Sequence, residues 1–121
     1  MAREAKPVVL VVDDEPAIRL LCKVNLELAG YEVREAGTLG EARELAGGGD
    51  VAVVLLDMHV GSERSEALLA ELRGRGLPVA VVTGSADLEA LRGSADAVLG
   101  KPFTITDLES VVAELTSRSG R

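Results

Sequence analysis

Five apolar runs of strand length recur along the chain, and each is separated from the next by a segment of helical pattern. The runs are Pro7–Val12, Tyr31–Ala36, Val51–Leu56, Leu77–Val82 and Ala95–Gly100. Four are nearly continuous Val, Ala and Leu, which suits strands buried on both faces of a parallel sheet. The run Tyr31-Glu32-Val33-Arg34-Glu35-Ala36 alternates and carries charge, so it reads as an edge strand with one wetter face.

The segments between carry helix signals. Pro16 suits the first turn of a helix reaching about Ala29, and Gly30 stops it. Thr38-Leu39-Gly40-Glu41 reads as a capping box that opens a second helix, ended by Gly47-Gly48-Gly49. A third helix is expected from about Arg64 to Arg73, and a short fourth from about Ala86 to Arg92. The last opens at Thr104, with Asp107 three residues on, and places Leu108, Val111, Val112 and Leu115 on one face. Strand and helix thus alternate five times, with connections that permit only right-handed crossovers. The expected fold is a three-layer doubly wound α/β domain on a five-stranded parallel sheet, with a shortened fourth helix.

A chain of 121 residues is one domain's worth and buries roughly two-thirds of its unfolded surface, so it folds without disulfides or structural metal. We take residues 7 to 116 as its core and Ser117–Arg121 as a polar tail. The formal charge of −7 repels phosphate backbones, and Tyr31 and Phe103 are the only aromatics. Direct nucleic-acid binding is therefore not expected. Cys22 is the single cysteine and falls inside an apolar helical pattern, as a core residue does. No signal-peptide core is present and no apolar run approaches ~18 residues. A soluble, cytoplasmic protein away from the membrane is the expectation.

In doubly wound sheets the site lies at the carboxyl ends of the strands. The first strand ends in Asp13-Asp14-Glu15, the third at Asp57, the fourth at Thr83 and the fifth at Lys101-Pro102. Each residue alone has an ordinary explanation, because Asp and Thr often cap a helix or open a turn. Together they converge three acids, a hydroxyl and an amine on one rim. Bare carboxylates there would repel, raise one another's pKa and weaken the fold. A divalent cation resolves that conflict. Oxygen-only ligands favour Mg²⁺ over Zn²⁺, and His59 is the only histidine. A carboxylate is a competent nucleophile toward phosphorus. Mg²⁺, the Lys101 ammonium and the Thr83 hydroxyl could each hold one equatorial oxygen of a transferring phosphoryl group.

The run Val8-Val9-Leu10-Val11-Val12-Asp13-Asp14-Glu15-Pro16, with Leu55-Leu56-Asp57-Met58, Val81-Val82-Thr83-Gly84 and Lys101-Pro102-Phe103, resembles the receiver domains of two-component response regulators. The resemblance runs the whole length of the chain, and Asp14 and Asp57 lie 43 positions apart, as that family has them. It implies a flavodoxin-like strand order, 2-1-3-4-5. It implies that Asp57 is the phospho-acceptor, that Asp13 and Asp14 bind Mg²⁺, and that the backbone carbonyl of His59 is a further metal ligand. Thr83 resembles the family's switch hydroxyl and Lys101 its phosphate-pairing lysine. The Lys101–Pro102 bond is similar to one that is cis in the family. The implied donor is a phosphohistidine on a sensor histidine kinase or phosphotransfer protein, and the implied receiver of the signal is a downstream protein or effector domain.

Three features depart from the family pattern. Val98 stands where an aromatic is usual. Val60-Gly61 and Ser65 replace the usual Met-Pro pair and later Gly. Only 18 positions separate Thr83 from Lys101. The first and third suggest a switch that reorders Gly84–Ser94, with that segment and the last helix as the partner face, rather than an aromatic flip. The His59 side chain either overhangs the phosphoryl group or is a solvated loop histidine. The leading expectation is a signalling switch that is no enzyme in the usual sense, although it assists its own phosphorylation and dephosphorylation. A phosphorylation-independent interaction module is a second class, but such proteins usually lose an acid or the lysine. A phosphatase of the haloacid-dehalogenase type would need its nucleophile on the first strand and an Asp at position 59.

Overall fold

The computed structural model describes residues 6–84 and 88–119. In chain order the elements are β1 (Val8–Val12), α1 (Pro16–Leu28), β2 (Glu32–Ala36), α2 (Leu39–Ala46), β3 (Val51–Asp57), β4 (His59–Val60), β5 (Glu63–Arg64), α3 (Glu66–Gly74), β6 (Val79–Thr83), α4 (Leu88–Leu91), β7 (Ala97–Gly100) and α5 (Ile105–Ser119). The five apolar runs form one sheet in the order β2-β1-β3-β6-β7, parallel throughout. Counted within that sheet, this is the expected 2-1-3-4-5. The charged run, β2, lies at an edge, with Val33 and Ala36 buried and Glu32 and Glu35 exposed.

Successive residues of a strand point to opposite faces, and β1 shows the result. Leu10 and Val12 join Leu56 and Val81 under Ala42 of α2 and Leu68 and Leu72 of α3. Val9 and Val11 join Leu55 and Val82 under Cys22 and Leu26 of α1 and Leu108, Val112 and Leu115 of α5. Each large buried side chain contributes about 1.5–3 kcal/mol by leaving water. Four apolar residues of α1, Leu20, Leu21, Val24 and Leu28, remain exposed on its outer side.

Local signals set the helix ends. Beyond α1 the Gly30 amide bonds to the Glu27 carbonyl and the Tyr31 amide to the Leu26 carbonyl. This double closure needs a left-handed residue, and Gly30 supplies it at φ 103°. Thr38 caps α2 by accepting from the Glu41 amide at 3.0 Å, while Glu41 accepts from the Gly37 amide at 2.8 Å.

Two expectations change. The third helix starts at Glu66 rather than Arg64, because Arg64 belongs to β5, half of a two-stranded antiparallel hairpin with β4. The polar stretch from Ser117 is not a tail at its start: α5 continues through Arg118, whose guanidinium pairs with Glu114 one turn back, to Ser119. Among the described residues the fourth helix spans Leu88–Leu91, in keeping with a short helix; Ala86 and Asp87, expected at its start, lie outside the described residues. Among the described residues no helix is long and apolar enough to cross a membrane.

Candidate phosphorylation site

Register decides which strand ends meet. Val12 pairs with Leu56, so Asp13 follows β1 beside Asp57 at the end of β3. Asp57 in turn pairs with Val82, so Thr83 lies one residue beyond it on β6. Thr83 pairs with Gly100, which delivers Lys101 to the same rim.

Asp13, Asp14 and Asp57 each offer a carboxylate oxygen, and these oxygens lie within 4.8 Å of one another. Asp13 and Asp57 are buried and Asp14 is exposed. Lys101 Nζ stands 3.3 Å from Asp13 Oδ2 and 3.3 Å from Asp57 Oδ2. The other oxygen of Asp57, Oδ1, accepts from the His59 amide at 3.3 Å. The Lys101 amide donates to the Thr83 carbonyl at 2.8 Å, and the Lys101–Pro102 bond is cis. Thr83 is 3 % exposed on the rim, but its hydroxyl stays outside the hydrogen-bonded cluster of Asp13, Asp57, His59 and Lys101. The His59 imidazole is exposed, and its Nε2 lies 2.6 Å from an Arg64 guanidinium nitrogen.

Burial pushes the Asp57 carboxyl above the ordinary carboxylate range, and the Asp13 charge adds to the push; Lys101 and the His59 amide offset only part of it. For Lys101, burial works to lower the ammonium, but Asp13 and Asp57 outweigh it and leave it above the ordinary lysine range. The site is one cation short of balance: the Lys101 charge faces Asp13 and Asp57 together, with Glu15 at 3.9 Å. Three convergent carboxylates without nitrogen or sulfur donors fit a hard divalent cation.

Three contributors were not anticipated in the sequence. Arg19 of α1 donates to the Asp13 carbonyl at 2.6 Å and is held by Glu35 at 3.1 Å, which ties the ends of β1 and β2 to α1. The β4–β5 hairpin turns at Gly61-Ser62, with Gly61 at φ 64°; Gly-Ser between two short runs is a hairpin signal that a search for loops passes over. Ser65 closes that hairpin against the end of β3, its hydroxyl donating to the Asp57 carbonyl at 2.6 Å.

A parallel five-stranded sheet with acids and a lysine gathered at its carboxyl edge is the architecture of a signalling α/β module. The chain belongs to the response regulator receiver domain family, whose sequence profile matches residues 9–113. Among curated proteins it is similar to the DNA-binding dual master transcriptional regulator RpaA of Synechocystis, 30% identical over 95% of this chain and 51% of the relative. It is similar also to the transcriptional regulatory protein SrrA of Staphylococcus aureus, 31% identical over 92% of this chain and 48% of the relative. The chain therefore spans about half the length of these relatives. Among solved structures it resembles a CheY-like response regulator receiver domain from Methanospirillum hungatei, with a TM-score of 0.86, 30% identity, and 96% and 98% of the two chains covered. The receiver domain of NtrX from Brucella abortus gives a TM-score of 0.84 at 28% identity, over 92% of this chain and 99% of that one.

Proposed function

We propose that this receiver domain accepts a phosphoryl group on Asp57 from a phosphohistidine of a sensor histidine kinase or phosphotransfer protein. The reaction depends on Mg²⁺, takes place in the cytoplasm, and changes the conformation read by an effector domain or downstream protein. The observation that carries this reading is the shared lysine: Lys101 lies 3.3 Å from both Asp13 and Asp57, beside a carboxylate cluster that fits a cation.

An oxygen of Asp57 attacks phosphorus, the phosphorus–nitrogen bond to the donor imidazole breaks, and the imidazole leaves with the electron pair and takes up a proton. Asp13, Asp14 and Asp57, with the His59 carbonyl, would hold Mg²⁺. Such an ion would supply neutralising charge for the phosphoryl oxygens. Lys101, drawn from the two carboxylates it now pairs with, follows the new negative charge onto the phosphoryl group. The Thr83 hydroxyl, outside the cluster in this state, is free to turn toward that group, which makes Thr83 the moving part of the switch. The exposed stripe of α1 adjoins this rim where Leu21 meets Pro102 and Phe103, and gives a protein donor an apolar surface beside the acceptor. RpaA is a DNA-binding transcriptional regulator by its name; by analogy the output here is a regulatory effector.

The test is incubation with acetyl phosphate and Mg²⁺. One hydroxylamine-labile phosphoryl group should be gained, as read by intact mass, and Asp57→Asn should not gain it. A variant that still carries the label, with no neighbouring residue shown to replace Asp57, would overturn the assignment.

A further inference from the structure

Ser65 occupies the N-cap of α3, yet its side chain makes no cap hydrogen bond. A serine at that place ordinarily accepts from an amide of the first turn, which stabilises the helix by about 1 kcal/mol. Here the fully buried hydroxyl points the other way and donates to the carbonyl of Asp57 at 2.6 Å. The Ser65 amide donates to the Met58 carbonyl at 2.9 Å, and the Ser65 carbonyl accepts from Leu69 at 2.9 Å as α3 begins. One residue thus joins the end of the acceptor strand, the base of the β4–β5 hairpin and the start of a helix. Local rules broken in favour of a tertiary contact are expected where a site is being shaped.

The hairpin is short. Its strands are two residues each, paired His59 to Arg64 and Val60 to Glu63, and Val60 is its one buried side chain. Arg64 bonds to Glu66 and to the His59 ring. His59, the first residue of the hairpin, brings its amide to Asp57 Oδ1.

We infer that Ser65 is a positioning residue for the phosphorylation site: by tethering the Asp57 carbonyl to the base of the hairpin, its hydroxyl keeps the His59 backbone beside the acceptor carboxylate. This rests on the phosphorylation reading given above. Asp57 is then held from three sides, by Lys101 on one carboxylate oxygen, the His59 amide on the other and Ser65 on its backbone. Loss of the tether loosens the His59 backbone, and with it the carbonyl offered to the cation, while the carboxylates and Lys101 stay in place.

The experiment is Mg²⁺ titration of the parent and Ser65→Ala by calorimetry, with acetyl-phosphate phosphorylation followed over the same Mg²⁺ range. Ser65→Ala should bind Mg²⁺ about fivefold more weakly, the worth of one ordinary hydrogen bond. Its rate at saturating Mg²⁺ should return close to the parent's, and the amide resonance of His59 should shift. Val51→Ala, which trims a buried side chain at the opposite end of β3 from Asp57, should lower stability and leave Mg²⁺ affinity unchanged. If Ser65→Ala does not fold, Ser65→Cys, of similar volume and a weak donor, reads the same quantity. A folded Ser65 variant with the parent's Mg²⁺ affinity and an unmoved His59 amide, merely less stable, overturns the inference. A parent that neither binds Mg²⁺ nor takes up phosphate overturns the reading of the whole site instead.

Discussion

The Lys101 ammonium stands 3.3 Å from Asp57 Oδ2, longer than the roughly 2.7–2.9 Å of a full ammonium–carboxylate hydrogen bond. The reason is division: the same nitrogen is 3.3 Å from Asp13. Burial and then the Asp13 charge raise the Asp57 carboxyl, and one cation shared between two carboxylates offsets only part of that, so Asp57 remains above its ordinary pKa despite having a lysine beside it.

The first consequence concerns pH and the metal-free fold. The folded pKa of Asp57 is raised, so its contribution to stability is full below the ordinary carboxylate value of about 3.9 and is lost as pH rises through the raised value. Asp57→Asn removes the charge that burial penalises. In EDTA at neutral pH this variant should melt higher than the parent, and the gap should close as pH falls toward about 4. Paired thermal melts across pH check this, and a variant less stable than the parent at neutral pH contradicts it.

The second concerns the metal. Asp14 is the exposed member of the carboxylate cluster, so Asp14→Ala should leave the metal-free fold as stable as before or slightly more so. The parent should gain about 2.7 kcal/mol at Mg²⁺ concentrations near 100 times its Kd, several degrees in Tm. The variant should lose that gain, and its phosphorylation with it. A variant that melts much lower than the parent in EDTA would make Asp14 structural.

The third concerns His59. Its imidazole is engaged by Arg64 at the edge of the rim, while its main chain borders Asp57. Exchange of His59 for Ala or Asn should alter the lifetime of the phosphorylated form severalfold through water access, with little change in Tm. Decay of phosphate-labelled protein after removal of donor measures this. Equal lifetimes across several substitutions would leave His59 a loop residue whose side chain does nothing for the site.

The fourth concerns Cys22. Burial, seconded by the Asp13 charge, pushes its thiol up to about 11. In the folded protein it should resist iodoacetamide at pH 8 and react readily once unfolded in guanidinium. Because the folded value is the higher one, the thiol's contribution to stability should fade as pH rises from about 8.5 toward 11. Rapid alkylation of the native protein would show that α1 opens far more easily than its buried face implies.

Much of this protein is legible in its sequence, and the legible parts share a cause. Val8–Val12, Val51–Leu56 and Val79–Val82 are too uniformly apolar to lie anywhere but inside a covered parallel sheet, and the helices between them carry local stop and start signals such as Gly30 and Thr38. Once strands alternate with helices, handedness puts the strand ends on one rim, and the first polar residue after each strand becomes a candidate: Asp13, Asp57, Thr83, Lys101. Such reasoning needs only near neighbours and a sheet rule. The tertiary structure alone decided what depends on register and on a few ångströms. The pairings Val12–Leu56 and Thr83–Gly100 brought Lys101 between Asp13 and Asp57. Ser65 stands at the N-cap of α3 and could have capped it, but the packed position of the Asp57 carbonyl turned its hydroxyl toward the site. Arg19 likewise reads as an ordinary helix residue until the fold sets the Asp13 carbonyl within its reach. Local pattern specifies the elements because each senses mainly its own neighbours; the site is finished by contacts between residues distant in sequence, whose energies exist only after the chain has closed upon itself.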